Sequence, residues 1–343
     1  MTLAKFLLGP VTIAAAAAIA ASAPQPVSQI GTIDFFGYGA LDAARLERVL
    51  PFKPGDPLPT TELRDEAEQT ISRVADRPSV TVSSICCQAD GRFSVFVGMA
   101  EASAPFIDFN ERPAGDHKFP AGVLDVFKRM DQFWQAAVQA GHATEDDSQG
   151  YALLDDPDTH FEQIKLRDWA RANFQVVFKI LDSSRYQEQR AYAAEALGYL
   201  KRSPRQVYAL VQASFDANGG VRNNALRALA IVVKAGPELI SEVPAERFIP
   251  LLHSPEWSDR NKTALLFETL TESRERAVLG ALHSEALEPL REMAQWKDWR
   301  HAQSSARLLG RITGMEEAQI DKLIAFHDVE DILKAIHSVP VRK

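Results

Sequence analysis

The sequence predicts a mostly α-helical chain: a C-terminal α-solenoid of helix-hairpin repeats, preceded by a small α+β domain of order β-α-α-β-β. Three observations predict it. Setting Arg190 on Arg222, a step of 32 residues, puts Ala193 on Ala225, Ala196 on Ala228, Leu197 on Leu229 and Gly198 on Ala230. Small residues recur where helices must approach closely, and leucines recur where a core must be filled. The step then repeats: Arg260 follows Arg222 after 38 residues, and Leu309-Gly310 repeats Leu197-Gly198 three steps on. Ahead of these units, short β-branched and aromatic runs alternate with helical spacing over a stretch of ordinary small-domain length.

The 343 residues allow two domains. A net charge of −8 and an isoelectric point near 5.6 argue against a nucleic-acid footprint, and the acidic balance fits solvated helix faces. At the start, Lys5 precedes an apolar run from Phe6 to Ala20 and then Ala21-Ser22-Ala23. That reads as a secretory signal over residues 1–23, cut after Ala20, Ser22 or Ala23. The run is short for a permanent span, and no later segment could cross a bilayer. The mature chain is therefore expected to be exported, periplasmic or secreted, without a transmembrane span; an uncleaved N-terminal anchor is the alternative. The two cysteines are the neighbours Cys86 and Cys87. Either one packs inside a strand while the other stays a free thiol, or they form a vicinal or intermolecular disulfide.

Residues 27–101 form the first module. Ile30 to Phe36 is a strand closed by Gly37 and Gly39, and Leu41 to Leu50 a short helix stopped by Pro51. Pro54 to Pro57 is turn chemistry, and Thr60 or Thr61 caps a helix carrying Leu63, Ala67, Ile71 and Val74. Val80 to Cys87 and Phe93 to Met99 are strands joined at Ala89-Asp90-Gly91. Two helices cover one face of such a sheet; the other is free to meet solvent. The first strand closed by Gly37, the Lys53-Pro54-Gly55-Asp56 turn and a last strand running into Glu101 resemble a POTRA domain over Ser28 to Glu101. The resemblance implies a binding module whose strand edge is extended by another chain. Val80 to Cys87 is then the candidate edge, with Ser83 and Ser84 as positions from which to trap a partner.

Residues 102–159 join the halves. Ala102 to Pro120 lacks a sustained period, yet Phe106, Ile107, Phe109 and Phe119 suit a wrap against the body. Ala121 to Gly141 is an amphipathic helix with Val123, Phe127, Met130, Trp134 and Ala137 on its packing face. The acidic loop follows, with six carboxylates in fourteen positions from Glu145 to Asp158. Glu145, Asp146 and Asp147 are the candidates for a hard cation, but the spacing lacks the calcium-loop pattern. Asp158-Thr159 with Glu162 reads as a helix capping box. No cofactor is expected.

Residues 160–343 carry the repeats. A long helix from His160 to Asp182 precedes a pair closed by Tyr186 to Lys201. Pro204 then opens the next pair, with its turn at Asp216 to Gly220 and its partner at Val221 to Lys234. Pro244 to His253 and Trp257 to Leu270 form a third pair, and Glu285 to Ala294 and Trp299 to Ile312 a fourth. Glu316 to Phe326 and Val329 to Ile336 would cap the stack. The pattern Val/Trp-x-Arg-x-x-Ala-x-x-Ala-Leu after a short first helix resembles HEAT repeats from Phe161 to Gly314, with no arginine at the aligned position 302. Arg190, Arg222 and Arg260 are expected to form a structural ladder, each reaching a turn acid of the neighbouring unit such as Asp216. The resemblance implies a concave face lined by second helices, so Asn223, Asn224, Arg227, Asn261, Lys262 and Glu268 are the expected partner contacts.

No HExxH, GxSxG, Walker loop or GxGxxG occurs, and the eight histidines form no motif. The expectation is an exported, non-catalytic scaffold for protein partners in the cell envelope. The rivals are a lyase-like HEAT enzyme or metal-dependent accessory factor using residues 145–158, and a membrane-tethered envelope component.

Overall fold

A computed structural model describes residues 28–88, 90–101, 104–140 and 143–337; the expected leader over 1–23 lies outside the described residues. The chain is mostly helical, with a small three-stranded sheet near its N-terminus. No helix among the described residues is long and apolar enough to cross a membrane.

The N-terminal unit contains β1 (Ile30–Phe36), α1 (Ala43–Glu47), α2 (Thr61–Ala75), β2 (Val80–Ile85) and β3 (Phe93–Met99). β3 is central, parallel to β1 and antiparallel to β2. Asp42 caps α1, and the Thr60 hydroxyl accepts from Leu63 N to cap α2. Ile33, Phe35, Leu46, Ala67, Ile71, Val82, Val95 and Val97 form the core between helices and sheet. β2 stops at Ile85, two residues short of its expected end, and Cys86 and Cys87 follow as a vicinal disulfide.

The second face of the sheet departs from expectation. Successive strand residues face opposite ways, so while Phe35 and Val97 enter the small core, Phe36 and Phe96 point away. Both are fully buried there, in the main helical core. The helical part begins with α3 (Ala121–Ala140), the two-residue strands β4 (Glu145–Asp146) and β5 (Leu153–Leu154), α4 (Pro157–Ala172) and α5 (Phe174–Ser183). It continues with α6 (Gln187–Leu197), α7 (Pro204–Ala213), α8 (Gly219–Ala235), α9 (Ala245–Phe248) and α10 (Trp257–Leu270). α11 (Arg276–Glu285), α12 (Leu287–Ala294), α13 (Trp299–Ile312), α14 (Glu317–Ala325) and α15 (Glu330–His337) complete it.

Helices α6, α8, α10 and α13 pack side by side in chain order, and α5, α7 and α12 lie against α6, α8 and α13. Gly198 marks one close approach: a β-carbon there would come within 3.1 Å of the Ala228 methyl. The expected helix from His160 to Asp182 is broken at Asn173, whose ψ of 31° ends α4 and starts α5. α4 begins earlier than expected, at Pro157, because Asp156 rather than Asp158 accepts from Thr159 N. Glu162 is then free of capping and pairs with Arg129 and Lys165. Pro250 lies inside the first helix of the third pair, which runs as a 3-10 helix from Ile249 to His253. α11 lies where no helix was expected.

The joining segment wraps the body as Ile107, Phe109 and Phe119 suggested, while Phe106, expected to join them, stays exposed. Asn110 N donates to Phe215 O at 2.7 Å, Gly115 N to Ser183 O at 2.9 Å, and Arg185 N to Gly115 O at 2.7 Å. Phe109 lies under the Arg222 guanidinium.

The sheet docks on the far end of the row. Phe96 meets Trp296 edge-on at 4.9 Å and tilts against Trp257 at 5.5 Å, while Phe36 packs on Trp296 at 5.7 Å. Around this aromatic centre, Ser94 Oγ donates to Asp298 at 2.7 Å, Lys297 N to Asp34 at 2.9 Å, and Thr81 Oγ1 to Pro255 O at 2.6 Å. Gly37 and Gly39 N–H donate to the two oxygens of Glu292 at 2.6 and 2.9 Å. Gly37 has φ of +72°, and a β-carbon would strike Met99 O at 1.7 Å, so only glycine serves there.

Two titrating groups at this interface act in opposite directions. Burial raises the Asp34 carboxyl to about 6, against the Lys297 N–H. Its native pKa lies above the unfolded one, so this group's stabilisation is present below about 4 and lost as pH rises through 6. Burial lowers the His301 imidazole to about 4, against the attraction of Asp298; its native pKa lies below the unfolded one, so stability is lost as pH falls through 6.5 toward 4. Asp34→Asn keeps an acceptor for Lys297 and removes only the first slope. Urea unfolding from pH 4 to 7 should show the variant more stable than wild type at pH 7, by about 1–3 kcal/mol. It should also lose stability more steeply on acidification.

Candidate functional site

The arginine ladder fixes how the helix pairs stack. Arg190 Nε and Nη2 donate to the Asp216 carboxylate at 2.7 and 2.9 Å, and Arg222 grips Asp259 through the same two nitrogens at 2.8 Å each. Arg260 donates to Glu292 at 3.3 Å. Each guanidinium also donates to the carbonyl six residues upstream: Arg190 to Ser184, Arg222 to Asp216, and Arg260 to Ser254. Each rung therefore ties the start of a second helix to its own turn and to an acid of the following unit. Only Asp216 is a turn aspartate. Asp259 stands in the first turn of α10 and Glu292 in α12, and position 302 is alanine, so no fourth arginine follows.

The expected contact residues on the second helices divide sharply. Asn224 Nδ2 donates to Ala191 O at 3.0 Å, and Asn223 to the Asn224 side chain. Asn261 is buried and points at His301 O. Asn224 and Asn261 therefore join neighbouring second helices, and Asn261 offers no surface to a partner. Glu268 is paired with Arg307 at 3.0 Å. Arg227 and Lys262 remain as the cationic groups on one face of α8 and α10, with Lys234 two turns beyond Arg227. Lys262 is half-buried and makes no hydrogen bond or ion pair with any described residue.

The acidic loop lies against that face as a small hairpin. Glu145 pairs with Leu154 and Asp146 with Leu153 along the backbone. Arg227 donates to Glu145 Oε2 through two nitrogens at 2.9 and 2.6 Å, and Lys234 Nζ to Asp147 at 2.6 Å. Asp146 instead accepts from Ser148 N. The three carboxylates expected as cation candidates thus turn to three different partners. Among the described residues no group of three His, Cys, Asp or Glu side chains is gathered to hold a metal ion.

Beneath the hairpin is a small cleft lined by Ala152, Glu195, Tyr199, Asn224, Arg227 and Ile231. Burial raises the Glu195 carboxyl to about 7, against the attraction of Arg227. Burial lowers the Lys262 amine to about 8, with Arg227 pushing the same way and Glu145 opposing. Burial would also weaken the Arg227 charge, but Glu145, Tyr199 and Glu195 overcome it and raise its pKa. Sequence reading passed over Glu195, although it occupies the slot of Arg227 one 32-residue step earlier. It also passed over Asp259 and Glu292, whose roles depend on where their helices end up.

Ser83 and Ser84 sit in β2, opposite Phe96 and Val95, so Ser83 shares the sheet face that meets α10 and Ser84 shares the face of the small core. β2 is an edge strand, but the Glu68 carboxylate accepts from Val82 N at 2.9 Å and covers part of its outer side.

Two measurements probe this arrangement. Arg222→Ala leaves the fully buried Asp259 without its counter-charge, and urea unfolding should register a loss of about 3–5 kcal/mol. The apolar double replacement Arg222→Met with Asp259→Leu should lose less. In a carbon-13 titration the Glu195 carboxyl should turn over near pH 7. Glu145→Gln should move that midpoint down, because it removes a neighbouring negative charge and frees Arg227.

No protein-family model matches this chain, and no curated protein matches it either.

Proposed function

We propose that the chain is an exported, non-catalytic scaffold in which HEAT-like helix pairs form an open solenoid. Its inner face holds a protein client of the cell envelope, and the POTRA-like module provides a second docking surface. The observation that carries the reading is the unbroken row of α6, α8, α10 and α13, keyed by the rungs Arg190–Asp216, Arg222–Asp259 and Arg260–Glu292. Such a row exposes one side of every second helix, and here that side carries paired and spare charge rather than apolar surface, as suits a reversible partner. α10 and α12 take up the module's second sheet face, with His301 of α13 against Phe96, so in this reading the docking surface is the part of the β2 edge that Glu68 leaves open.

One observation favours the lyase-like enzyme as a second reading: Glu195 lines a small cleft with Tyr199 and Arg227, and burial pushes its carboxyl up toward neutrality, as a general acid–base requires. Glu195→Gln separates the two, since a scaffold retains its client and an acid–base enzyme loses turnover.

The test of the leading reading is photo-cross-linking in cells from Asn224 and from Ser84, with mass spectrometry of the adducts and of the N-terminus. Discrete adducts in the envelope fraction, on a chain that has lost Met1, are the expected result. Absence of adducts from both positions, or a chain retained among cytosolic contents, would overturn it. Firm membrane sedimentation with Met1 intact would favour the tethered alternative.

A further inference from the structure

The hairpin over the inner face is held very unevenly. On its β5 side, Leu153 and Leu154 are buried, Leu154 N donates to Gln163 Oε1 at 2.9 Å, and Gln163 Nε2 donates to Ala152 O at 2.9 Å. His160 Nδ1 lies 3.0 Å from Leu154 O, and Tyr151 bonds Arg171. That strand is part of the body. On the β4 side, no residue from Thr144 to Gln149 is buried. Backbone pairing with β5 holds it, together with the ion pairs to Arg227 and Lys234, whose side chains keep 23% and 54% of their exposure. Pairs of that kind contribute little each and are weakened by salt.

We propose that Arg227 and Lys234 form a site for paired carboxylates on an extended acidic segment of a protein partner, and that β4 with Asp147 occupies this site as an internal ligand until a partner strand displaces it. The proposal rests on the inner-face reading above and names the chemistry of its client. Glu145 and Asp147 stand two residues apart, so in extended chain they share a side. Arg227 and Lys234 stand seven apart on α8, so they share a helix face about two turns apart. A two-residue acidic spacing laid along that face meets both cations. Lys262 lies beside the same site without a partner among the described residues and feels the Glu145 charge. It is the position where a partner carrying one more carboxylate would outbid the internal strand. The occupant is a peptide because removing β4 uncovers the backbone edge of β5, which a strand can pair with and a phosphate ester cannot.

The test uses the full chain and a fluorescent synthetic peptide, Ala-Thr-Glu-Asp-Asp-Ser-Gln, copied from residues 143–149, with its Gln/Asn counterpart as control. Glu145→Gln with Asp147→Asn releases the internal ligand and should bind the acidic peptide at least about tenfold tighter than wild type. Adding Arg227→Gln to that variant, or using the amide peptide, should remove the gain. Equal binding by the released variant and wild type, or equal binding of acidic and amide peptides, overturns the proposal. Should the released variant fail to fold, hydrogen exchange on wild type decides. The acidic peptide at high concentration should deprotect the amides of residues 145–148 while those of Leu153 and Leu154 stay protected, and no change overturns the proposal. A client trapped from Asn224 with no response to the acidic peptide removes this occupant alone. Peptide binding without any client removes the scaffold reading alone.

Discussion

Glu292 is the residue on which the two halves of the molecule depend together. Its carboxylate is buried between α12 and the end of β1, where an unpaired charge would be costly. Three donors make the site tenable: Arg260 from the ladder, and the Gly37 and Gly39 N–H groups from the small module. Burial raises the carboxyl and lowers the guanidinium, each against the pull of the other. The last rung of the helix stack is therefore also the first contact of the docked sheet. A change that loosened one would leave buried polar groups unmatched in the other.

The same logic explains what could be read from the chain without coordinates. Arg190, Arg222 and Arg260 were visible because covalent spacing sets their period, and Asp216 because it sits in the adjoining turn. Asp259 and Glu292 were not visible, since choosing an acid for each arginine requires knowing how neighbouring pairs are offset. Trp257 to Leu270 and Trp299 to Ile312 were legible to the residue, each opening on a bulky residue after a turn. The cap at Asp156 was misread as Asp158 because both precede a plausible helix start, and Pro157 at the first helical position decides between them. The covered second face of the sheet could have been suspected: Phe35-Phe36 and Val95-Phe96-Val97 are apolar on both faces, the pattern of a strand buried on both sides.

The cluster around Arg227 was the least legible part. Glu145 lies 82 residues from Arg227, and nothing in the spacing of either announces the other. The hairpin was read as a possible cation loop because its carboxylates are close in sequence. In space the cations they meet are side chains of α8. Glu195, Arg227 and Lys262 come from three successive second helices, so their mutual influence exists only once those helices are aligned. Burial is the largest influence on each, and Arg227 then acts on both neighbours: it holds the Glu195 carboxyl back and pushes the Lys262 amine further down.

The path of the joining segment has a mechanical corollary. Strands β1 to β3 rest against Pro255, Trp257, Trp296 and Asp298, late in the row, yet the chain leaving them runs back past Phe215 to lie beside Ser183 before the row begins. A simple stack of helix pairs touches only nearest neighbours and melts from its ends. Here the backbone closes a circuit, with the terminal pairs fastened by a domain that is itself leashed to the opening pair. Helices α14 and α15 pack on α13 and can fray without touching that domain, but parting α10 from α13 must also detach it, so the later pairs are tied to the opening one through the leash as well as through their neighbours.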